Sequence, residues 1–401
     1  MSARVLFLCH AGVLGGAELS LLDLARGLGA RAHVTLFQDG PFRERLDAAG
    51  VGVDVVAAAA GMLGVERGGS ARSSIRAVPG VLRQARAVAR QARAFDVLYA
   101  NSQKAFVVAA LAGPLARRPV VWHLRDLLTA EHFGAAHRRL VVALANGLAA
   151  RVIANSAATA AAFVEAGGLP GKVRVVHNGI APGPFDAVTE ADVRQTRAAL
   201  GLGPGPVVGV FSRLAPWKGQ HVLVEALPRL PGVQALLVGE ALFGEDAYAA
   251  GLRARAAALG VADRVVFAGF RADVPALMAA CDVVAHTSVA AEPFGRVVVE
   301  GLLAARPVVA SSAGGVLEIV EDRRTGRLGR PGDPAALAGA VAALLARPDE
   351  ARRMAAAGRD AARARFSVGA MVAAVEAEID ACAALDRQGD FARGRGSARP
   401  A

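Results

Sequence analysis

The 401-residue chain has little of several residues that mark particular classes of protein. Its only cysteines, Cys9, Cys281 and Cys382, form no CxxC or Cys/His pattern, which disfavours a zinc site or a disulfide framework. Aromatic residues are 5% of the chain and hydrophobic residues 54%, so we predict a globular core built mostly from Ala, Val and Leu. We interpret the cysteines as small core residues in a reducing compartment.

The sequence also lacks an apolar run long enough to cross a membrane. The longest candidate, residues 105–116, is bounded by Lys104 and Arg117 and is interrupted by a proline. Residues 1–12 lead directly into a strand pattern, which leaves no room for a signal peptide. We therefore expect a cytoplasmic protein.

Acidic residues are scarce in the first half of the chain. Residues 1–200 carry 23 Lys and Arg against 14 Asp and Glu, whereas residues 201–401 carry 23 against 21. This asymmetry favours an anionic partner for the first half, such as a phosphorylated substrate, an acidic lipid surface or a nucleic acid. Nucleic acid is the least favoured, because no helix-turn-helix, zinc or RNP pattern accompanies the charge.

Short apolar runs alternate with helical patterns along both halves, which predicts βαβ units and α/β doubly wound parallel sheets. In the first half the predicted strands are 4–9, 32–37, 96–100, 118–123, 150–154 and 173–176. In the second half they are 206–211, 233–239, 264–269, 282–286 and 307–311. The region 333–385 has a helical pattern throughout.

A stretch rich in Pro and Gly near residues 178–206 predicts a domain boundary. We predict one Rossmann-like domain at 1–180, a second at 181–385 that includes the C-terminal helices, and a disordered basic tail at 386–401. Two such domains would face a central cleft, and ligands of open α/β sheets bind at the carboxyl ends of the strands. The residues directly after the strands are therefore the candidates for function.

Two candidates follow strands of the first domain. Gly15 and Gly16 stand between a strand and a helix predicted to open at Ala17, where free backbone amides can meet an anion. The G-x-G-x-x-G spacing is absent, and a simple tight turn is an equally good interpretation. His123 ends its predicted strand, where it either takes part in hydrogen bonding with a ligand or is structural.

The second domain opens with "VFSRLAPWKGQH", which places Arg213 after a strand and Lys218 at the entry to a helix. Two cations and a helix N-terminus that converge on one point form a site for a diphosphate. The alternative is a pair of solvated surface charges. The strand-loop-helix context favours the phosphate site.

A helix pattern that begins near Gly295 keeps a glutamate on either side of its start, Glu292 in the loop and Glu300 in the second turn. Carboxylates suit vicinal hydroxyls, because each oxygen accepts its own donor, so the pair fits a sugar and a ribose diol. Backbone amides of Phe294, Gly295 and Arg296 would form a further anion site. Alternatively, Glu300 has a structural role as a helix cap or in an ion pair, and Glu292 is a charged residue of the loop. Gly314 and Gly315 form another glycine-rich turn after a strand.

Taken in order, these elements resemble the family 4 retaining glycosyltransferases of the GT-B fold. The matching segments are "GGAE", the histidine that ends the predicted strand 118–123, "NGI", "SRLAPWKG", "EPFGRVVVE" and "AGGVLEIVEDRRTG". The likeness covers about residues 4–366, and the ordered set is far more specific than any one segment.

The resemblance implies that the first domain binds an acceptor and the second a nucleotide-diphospho-sugar. The sugar would pass to a hydroxyl of a saccharide, lipid-linked or small-molecule acceptor by same-face attack, with the leaving phosphate helping to deprotonate the acceptor. The implied catalytic residues are His123, Arg213, Lys218 and Glu292. The implied donor-binding residues are Gly15, Gly16, Arg271, Phe294, Gly295, Arg296, Glu300 and Gly314.

Individual roles follow from the same resemblance. Arg213 and Lys218 would bind the donor diphosphate and stabilise it as it leaves. Glu292 would contact the donor sugar, Glu300 the ribose hydroxyls, and His123 would lie beside the sugar and the acceptor. Backbone near Arg271 would face the base, and the backbone of the first glycine pair would pack on the donor.

No metal or other cofactor is expected. The sequence has no D-x-D motif. Cationic side chains would stabilise the negative charge of the diphosphate in place of a metal ion. The chain departs from the family where "EGLLAARPVV" replaces the usual E-A-M-A-x-G-x-P-V, with Gly301 and Ala305 in unexpected places. The loop "VGEALFGED" also lacks the usual second glycine. Both departures leave the charged groups in place.

Two other functions remain open at this point. A nucleotide-sugar 2-epimerase of similar architecture would need further acid and base side chains, and no obvious set is present. A non-catalytic carbohydrate-binding relative is disfavoured by the intact charged residues.

A separate hypothesis concerns residues 79–95, predicted as a helix that starts at Pro79 and carries Arg83, Arg86, Arg90 and Arg93 on one face. Such a face either contacts an anionic membrane peripherally or is merely solvated.

Overall fold

A computed structural model of the chain describes residues 2–58, 71–242 and 244–387. Within the helices at 71–92 and 368–387, side chains are described from residue 78 and up to residue 385, respectively. These residues form two compact units. The first extends to Gly179 and includes residues 368–387, and the second is Ile180–Ser367.

The first unit contains a parallel sheet whose strands alternate with helices along the chain. Its described strands are β1 (Val5–Cys9), β2 (Ala32–Leu36), β3 (Gly52–Val55), β4 (Val97–Ala100), β5 (Val120–Leu124), β6 (Arg151–Ala154) and β7 (Val173–Val175). Their spatial order is β3-β2-β1-β4-β5-β6-β7, and every pairing is parallel. The helices between them are α1 (Gly16–Leu28), α2 (Pro41–Ala48), α3 (Ala71–Ala92), α4 (Gln103–Ala116), α5 (Ala135–Leu148) and α6 (Ala157–Glu165).

The second unit repeats this plan. Its described strands are β8 (Val207–Phe211), β9 (Gln234–Val238), β10 (Val265–Gly269), β11 (Val283–His286), β12 (Val308–Ser311) and β13 (Arg327–Gly329), in the parallel order β10-β9-β8-β11-β12-β13. Its helices are α7 (Gly183–Asp186), α8 (Glu190–Ala199), α9 (Gln220–Ala226), α10 (Asp246–Ala258), α11 (Val274–Ala279), α12 (Arg296–Leu303), α13 (Pro334–Ala346) and α14 (Pro348–Arg365). The last helix of the chain is α15 (Val368–Arg387).

Both faces of each sheet are buried, which explains why the predicted strands are continuous apolar runs. In β1, Leu6 and Leu8 pack in one core cluster, while Val5 and Phe7 pack in another on the opposite face. The expected α/β doubly wound architecture is confirmed. Cys9, Cys281 and Cys382 are buried free thiols, in agreement with their interpretation as core residues.

Two strands, β3 and β13, were missed by the sequence patterns. Each lies at the edge of its sheet and none of its residues is fully buried, so neither needs a continuous apolar run. The remaining predicted strands agree with the structure to within two residues at either end.

The last helix corrects the expected domain assignment. Residues up to 385 were predicted to belong to the second domain, but α15 belongs to the first unit. Its apolar side chains Met371, Val375 and Ile379 share a core cluster with Leu21 and Leu24 of α1. A helical pattern shows which face is apolar but carries no sign of which sheet it packs against. The predicted tail lies outside the described residues from residue 388 onward.

Helix α3 also differs from its prediction, because it begins at Ala71 and contains Pro79 in its interior. A proline favours a helix start but does not prevent a helix from continuing on its N-terminal side. Helix α3 also ends at Ala92, so Arg83, Arg86 and Arg90 are exposed on the helix, whereas Arg93 is exposed one residue beyond its end. No helix among the described residues is both long and apolar enough to span a bilayer.

Candidate functional site

The clearest cluster of charged side chains in the second unit centres on Glu292, in the loop between β11 and α12. Its Oε1 atom lies 2.5 Å from Lys218 Nζ and accepts a 2.6 Å hydrogen bond from Ser288 Oγ. The Nε2 atom of His286, at the end of β11, lies 3.1 Å from the same oxygen. All these contacts end on Oε1. Within the described residues, the Oε2 atom of Glu292 has no hydrogen-bond partner.

The surroundings of Glu292 keep its carboxyl group ionised. Burial alone raises the pKa of Glu292, but the charge of Lys218 and the contact with His286 outweigh burial and hold that pKa well below its usual range. The side chains of Lys218 and Glu292 are only 16% and 10% exposed, so solvent screens their attraction weakly. The second unit therefore holds a fixed negative charge beside a fixed positive one.

The loop that carries Lys218 is fastened to the strand end at β11. Thr287 donates its hydroxyl to the carbonyl oxygen of Lys218 at 3.0 Å, and the amide of Val289 donates to the carbonyl oxygen of Trp217 at 2.9 Å. Gly219 has φ +69°, and a Cβ atom there would lie 2.0 Å from the carbonyl oxygen of Thr287. The close approach of these two loops brings Lys218 to Glu292.

Gly314 holds the other side of Glu292. It has φ +64°, and a Cβ atom there would lie 2.2 Å from the carbonyl oxygen of Glu292. The next residue, Gly315, donates its amide to that same carbonyl oxygen at 2.8 Å. The turn at Gly314 and Gly315 thus fixes the backbone of Glu292 through contacts within the protein.

Arg213 and Lys218 share one aromatic neighbour. The ring centroid of Trp217 lies 5.7 Å from Arg213 Cζ and 4.1 Å from Lys218 Nζ, distances at which a cation is attracted to an indole face. Buried Gln220 donates to the carbonyl oxygen of Arg213 and to the hydroxyl of Ser212, both at 2.8 Å. The two predicted cations therefore lie close to one ring in a supported loop.

Helix α12 begins at Arg296 after Gly295, which has φ +101°. Arg296 donates Nε to Glu300 Oε1 at 3.0 Å, so the half-buried glutamate has a cationic partner one turn away on the same helix. Phe294 is 2% exposed and packs edge-to-face on Phe366, so its side chain is part of the core and does not face a ligand.

Arg271 lies apart from this cluster. Its guanidinium makes two hydrogen bonds to the carboxylate of Asp273, at 2.8 and 2.6 Å, on an exposed loop after β10. The bidentate pair raises the pKa of Arg271. The side chain is thus engaged with Asp273, whereas the resemblance assigned only the backbone here to the base.

In the first unit, Gly15 precedes α1, which begins at Gly16 and not at Ala17 as expected. Glu18 follows in the first turn and is 7% exposed. Burial raises the pKa of Glu18 against the opposing positive charge of Arg125. A carboxyl group with a raised pKa therefore lies at this glycine turn.

His123 is fully buried in β5, one residue before the strand ends. Its Nδ1 atom lies 2.6 Å from the Tyr99 hydroxyl and 3.1 Å from Arg125 Nη2. Arg125 also donates Nε to Asn101 Oδ1 at 2.8 Å and Nη1 to Asn178 Oδ1 at 2.9 Å. Burial, followed by the charge of Arg125, holds the pKa of His123 well below its usual range.

Sequence reasoning did not assign several of these residues. Trp217 and Arg125 lie inside or directly beside quoted motifs, so their positions were a usable signal. His286 ends the predicted strand 282–286 and Ser288 lies two residues later, so their positions were a usable signal as well. Tyr99 lies in another strand, and nothing in the sequence pattern connects it to His123. No group of three or more His, Cys, Asp or Glu side chains among residues the structure describes is arranged to hold a metal ion.

Comparison with known proteins agrees with this picture. Residues 14–183 match the family model described as Glycosyltransferase Family 4, and residues 192–361 match that of Glycosyl transferases group 1. HepE of Anabaena, solved in complex with UDP and glucose, is 41% identical, with a TM-score of 0.86 over 94% of this chain and 99% of that one. The chain belongs to the family 4 glycosyltransferases.

Other relatives of this glycosyltransferase match over shorter segments. A D-inositol 3-phosphate glycosyltransferase of Segniliparus rotundus is 37% identical over 211 residues, or 49% of this chain and 45% of the relative. A GDP-mannose-dependent mannosyltransferase of Mycolicibacterium smegmatis is 39% identical over 175 residues, which cover 41% of this chain and 44% of the relative. The matched segment thus spans less than half the length of either curated relative.

The GT-B assignment made from the sequence is confirmed by the fold and by these comparisons. One departure from the family pattern has a visible consequence. Ala305, at the position where the family usually has glycine, adopts φ +52° at the end of α12. An alanine in the left-handed region is strained by about 1 kcal/mol relative to glycine.

Proposed function

We propose that this glycosyltransferase transfers a sugar from a nucleotide-diphospho-sugar to an acceptor hydroxyl with retention, and that its donor is a UDP-sugar. The observation that carries the proposal is the ionised Glu292, with Oε1 held by the protein and Oε2 without a hydrogen-bond partner among the described residues. The identity of 41% with HepE, which was solved with UDP and glucose, makes UDP-glucose the first donor to test.

In the proposed reaction, the bond between the sugar C1 and the diphosphate oxygen breaks as the acceptor oxygen bonds to C1 from the same face. The acceptor proton passes to the departing phosphate oxygen. Lys218 and Arg213 stabilise the negative charge that develops on the diphosphate, so the proposal requires no metal ion. A preorganised cation is worth about 3–4 kcal/mol in such a position.

Glu292 is proposed to accept hydrogen bonds from hydroxyls of the donor sugar through Oε2. Because Lys218, Ser288 and His286 all contact Oε1, they hold the carboxylate without using the second oxygen. Because the pKa of Glu292 is depressed, the carboxylate is available as an acceptor throughout the neutral range.

The other donor contacts are proposed from the family motifs. Glu300, oriented by Arg296, accepts from the ribose hydroxyls. Backbone groups supply the rest: Gly15, Gly16, Phe294, Gly295, Gly314 and the peptide at Arg271. His123 is proposed to contact the sugar or the acceptor.

We also propose a cytoplasmic location with peripheral contact to an anionic membrane through α3, where a lipid-linked acceptor would lie. The exposed arginines Arg83, Arg86 and Arg90 of α3 support this, together with exposed Arg93 one residue past its end. Flotation with vesicles that contain or lack anionic lipid tests it, and equal binding to both would contradict it.

Thermal unfolding with a panel of nucleotide-sugars, followed by measurement of released nucleotide, tests the donor proposal. We expect UDP-glucose to raise the Tm by several degrees, because a ligand that binds only the folded state stabilises it. Arg213→Met should abolish most of that shift. Arg253→Met is the matched control, because Arg253 lies 4.3 Å over the Phe267 ring in the same unit. Arg253→Met should leave the Tm shift caused by UDP-glucose unchanged.

Two results would contradict the proposal. An absence of any shift with every nucleotide-sugar would favour a non-catalytic relative. Epimerised sugar formed without an acceptor would favour the 2-epimerase. Retention is checked by the anomeric configuration of the product, and an inverted product would overturn the same-face mechanism.

A further inference from the structure

The hydrogen bonds around His123 determine which ring nitrogen carries its proton. A guanidinium group has only donors, so Arg125 Nη2, 3.1 Å from Nδ1, must donate to that atom. The Nδ1 atom is therefore an acceptor, and the Tyr99 hydroxyl at 2.6 Å donates to it as well. In a neutral ring the proton must then be on Nε2.

Both donors are held in place. Arg125 is bound on its other sides by Asn101 and Asn178, and Asn178 Oδ1 also accepts from Ser20 Oγ at 3.0 Å. Tyr99 is fully buried, with its ring centroid 4.8 Å from that of Phe7. The two donors cannot turn away from Nδ1 without breaking this packing.

The opposite side of the ring is left without a protein partner. The Nε2 atom of His123 is buried and makes no hydrogen bond within the described part of the chain. An unsatisfied buried N–H is unfavourable, so an oxygen that reaches it adds binding energy. A substrate oxygen that does so must displace the groups that cover the ring.

We propose that Tyr99 and Arg125 are positioning residues that hold His123 as the Nε2–H tautomer, so that it donates a hydrogen bond to a substrate hydroxyl and cannot accept that hydroxyl's proton. The inference rests on the proposed function, which brings a sugar or acceptor hydroxyl to His123. Nε2 then donates to the substrate hydroxyl, and Nδ1 accepts hydrogen bonds from Tyr99 and Arg125, so neither nitrogen can take up a proton. The acceptor's proton must go elsewhere, to the leaving phosphate oxygen in the proposed reaction.

The tautomer is measured directly in protein labelled with ¹⁵N in its histidine rings. The His123 signals are those that disappear in His123→Gln. At pH 7 we expect a protonated Nε2 and an unprotonated Nδ1. A proton on Nδ1, or on both nitrogens, would overturn the inference whether or not the protein is active.

Kinetics test the consequence for turnover. Tyr99→Phe keeps the ring and removes one hydrogen bond, so we expect kcat to fall about fivefold, with the KM for UDP-glucose changed less than twofold. Tyr248→Phe is the matched control, because the Tyr248 hydroxyl lies 2.9 Å from Nδ1 of His221 in the second unit. It should lower the Tm comparably and leave kcat unchanged.

The outcomes separate the two proposals. If Tyr99→Phe lowers the Tm but leaves both kcat and the His123 signals as in the wild type, Tyr99 is only structural and the inference fails. If the wild type shows the Nε2–H tautomer but releases UDP from no donor, the proposed function fails while the tautomer assignment stands.

Discussion

The two units bury polar groups at their centres in opposite electrostatic states. In the first, two hydrogen-bond donors face His123 Nδ1, and burial beside Arg125 keeps the ring neutral. In the second, Glu292 is nearly as buried, yet the nearby charge of Lys218 keeps it ionised. Both centres lie at the carboxyl ends of parallel strands in doubly wound sheets. The fold therefore supplies the location, and burial together with the nearest charged neighbour decides the protonation state.

A further contrast lies in what holds each centre. Around His123 the contacts are between side chains, in a network that includes Asn101 and Asn178. Around Glu292 the backbone takes a large part, because Gly314 lies directly against the carbonyl oxygen of Glu292. We therefore expect the second centre to be the more sensitive to small changes in the main chain.

The largest effect is expected from breaking the ion pair of the second unit. Lys218→Met leaves the Glu292 carboxylate buried without its main counter-charge, which should cost about 3–5 kcal/mol of stability and lower kcat/KM by about 10²–10³. Adding Glu292→Gln should restore most of the stability and none of the activity. Urea unfolding followed by Trp217 fluorescence in a Trp122→Phe background reports on the second unit. A double variant no more stable than Lys218→Met would show that the pair is not coupled.

A smaller effect is expected from the glycine that supports the pair. Gly314→Ala should destabilise the second unit by about 3 kcal/mol, because the added Cβ meets backbone at a positive φ. Gly260→Ala is the matched control, since Gly260 has φ +66° and open space around it, and should cost only about 1 kcal/mol. Gly15→Ala in the first unit meets a side-chain atom of Glu18 and no backbone, so it should cost less than Gly314→Ala. Equal losses for Gly314→Ala and Gly260→Ala would contradict the close-approach explanation.

The same contrast shows what could be predicted from the sequence. Central strands are buried on both faces, so their apolar runs revealed both sheets, whereas the edge strands β3 and β13 left no such run. Lys218 and Glu292 were identified because they follow strands. Their contact with each other was not, because it depends on two loops that approach through Gly219 and Thr287.

The network of His123 was beyond sequence reasoning for a similar reason. Tyr99 belongs to a neighbouring strand, and only the sheet order brings its hydroxyl to the ring. The unit to which α15 belongs was also unpredictable, because an apolar helix face fits either sheet.

The smallest effect is a difference between the two centres in the pH at which each begins to destabilise the protein. The pKa of His123 is lowered from its ordinary value of 6.5, so below pH 6.5 the unfolded chain binds a proton that the folded chain does not. The free energy of unfolding of the wild type, measured relative to that of His123→Gln, should therefore fall by up to about 1.4 kcal/mol per pH unit below 6.5. The pKa of Glu292 is depressed from 4.5, so its contribution is complete above pH 4.5 and is lost only as the pH falls below it.

Urea unfolding is measured at pH 7, 6 and 5. This range crosses the pH at which the effect of His123 begins and stays above the pH at which that of Glu292 begins. Trp122 fluorescence in a Trp217→Phe background follows the first unit, and Trp217 fluorescence in a Trp122→Phe background follows the second. The difference between the wild type and His123→Gln should shrink across this range, while that between the wild type and Glu292→Gln should stay constant. A constant difference for His123→Gln would mean that the folded ring takes up a proton as readily as the unfolded chain. The neutral centre would then not exist, and the contrast between the units would reduce to one charged pair.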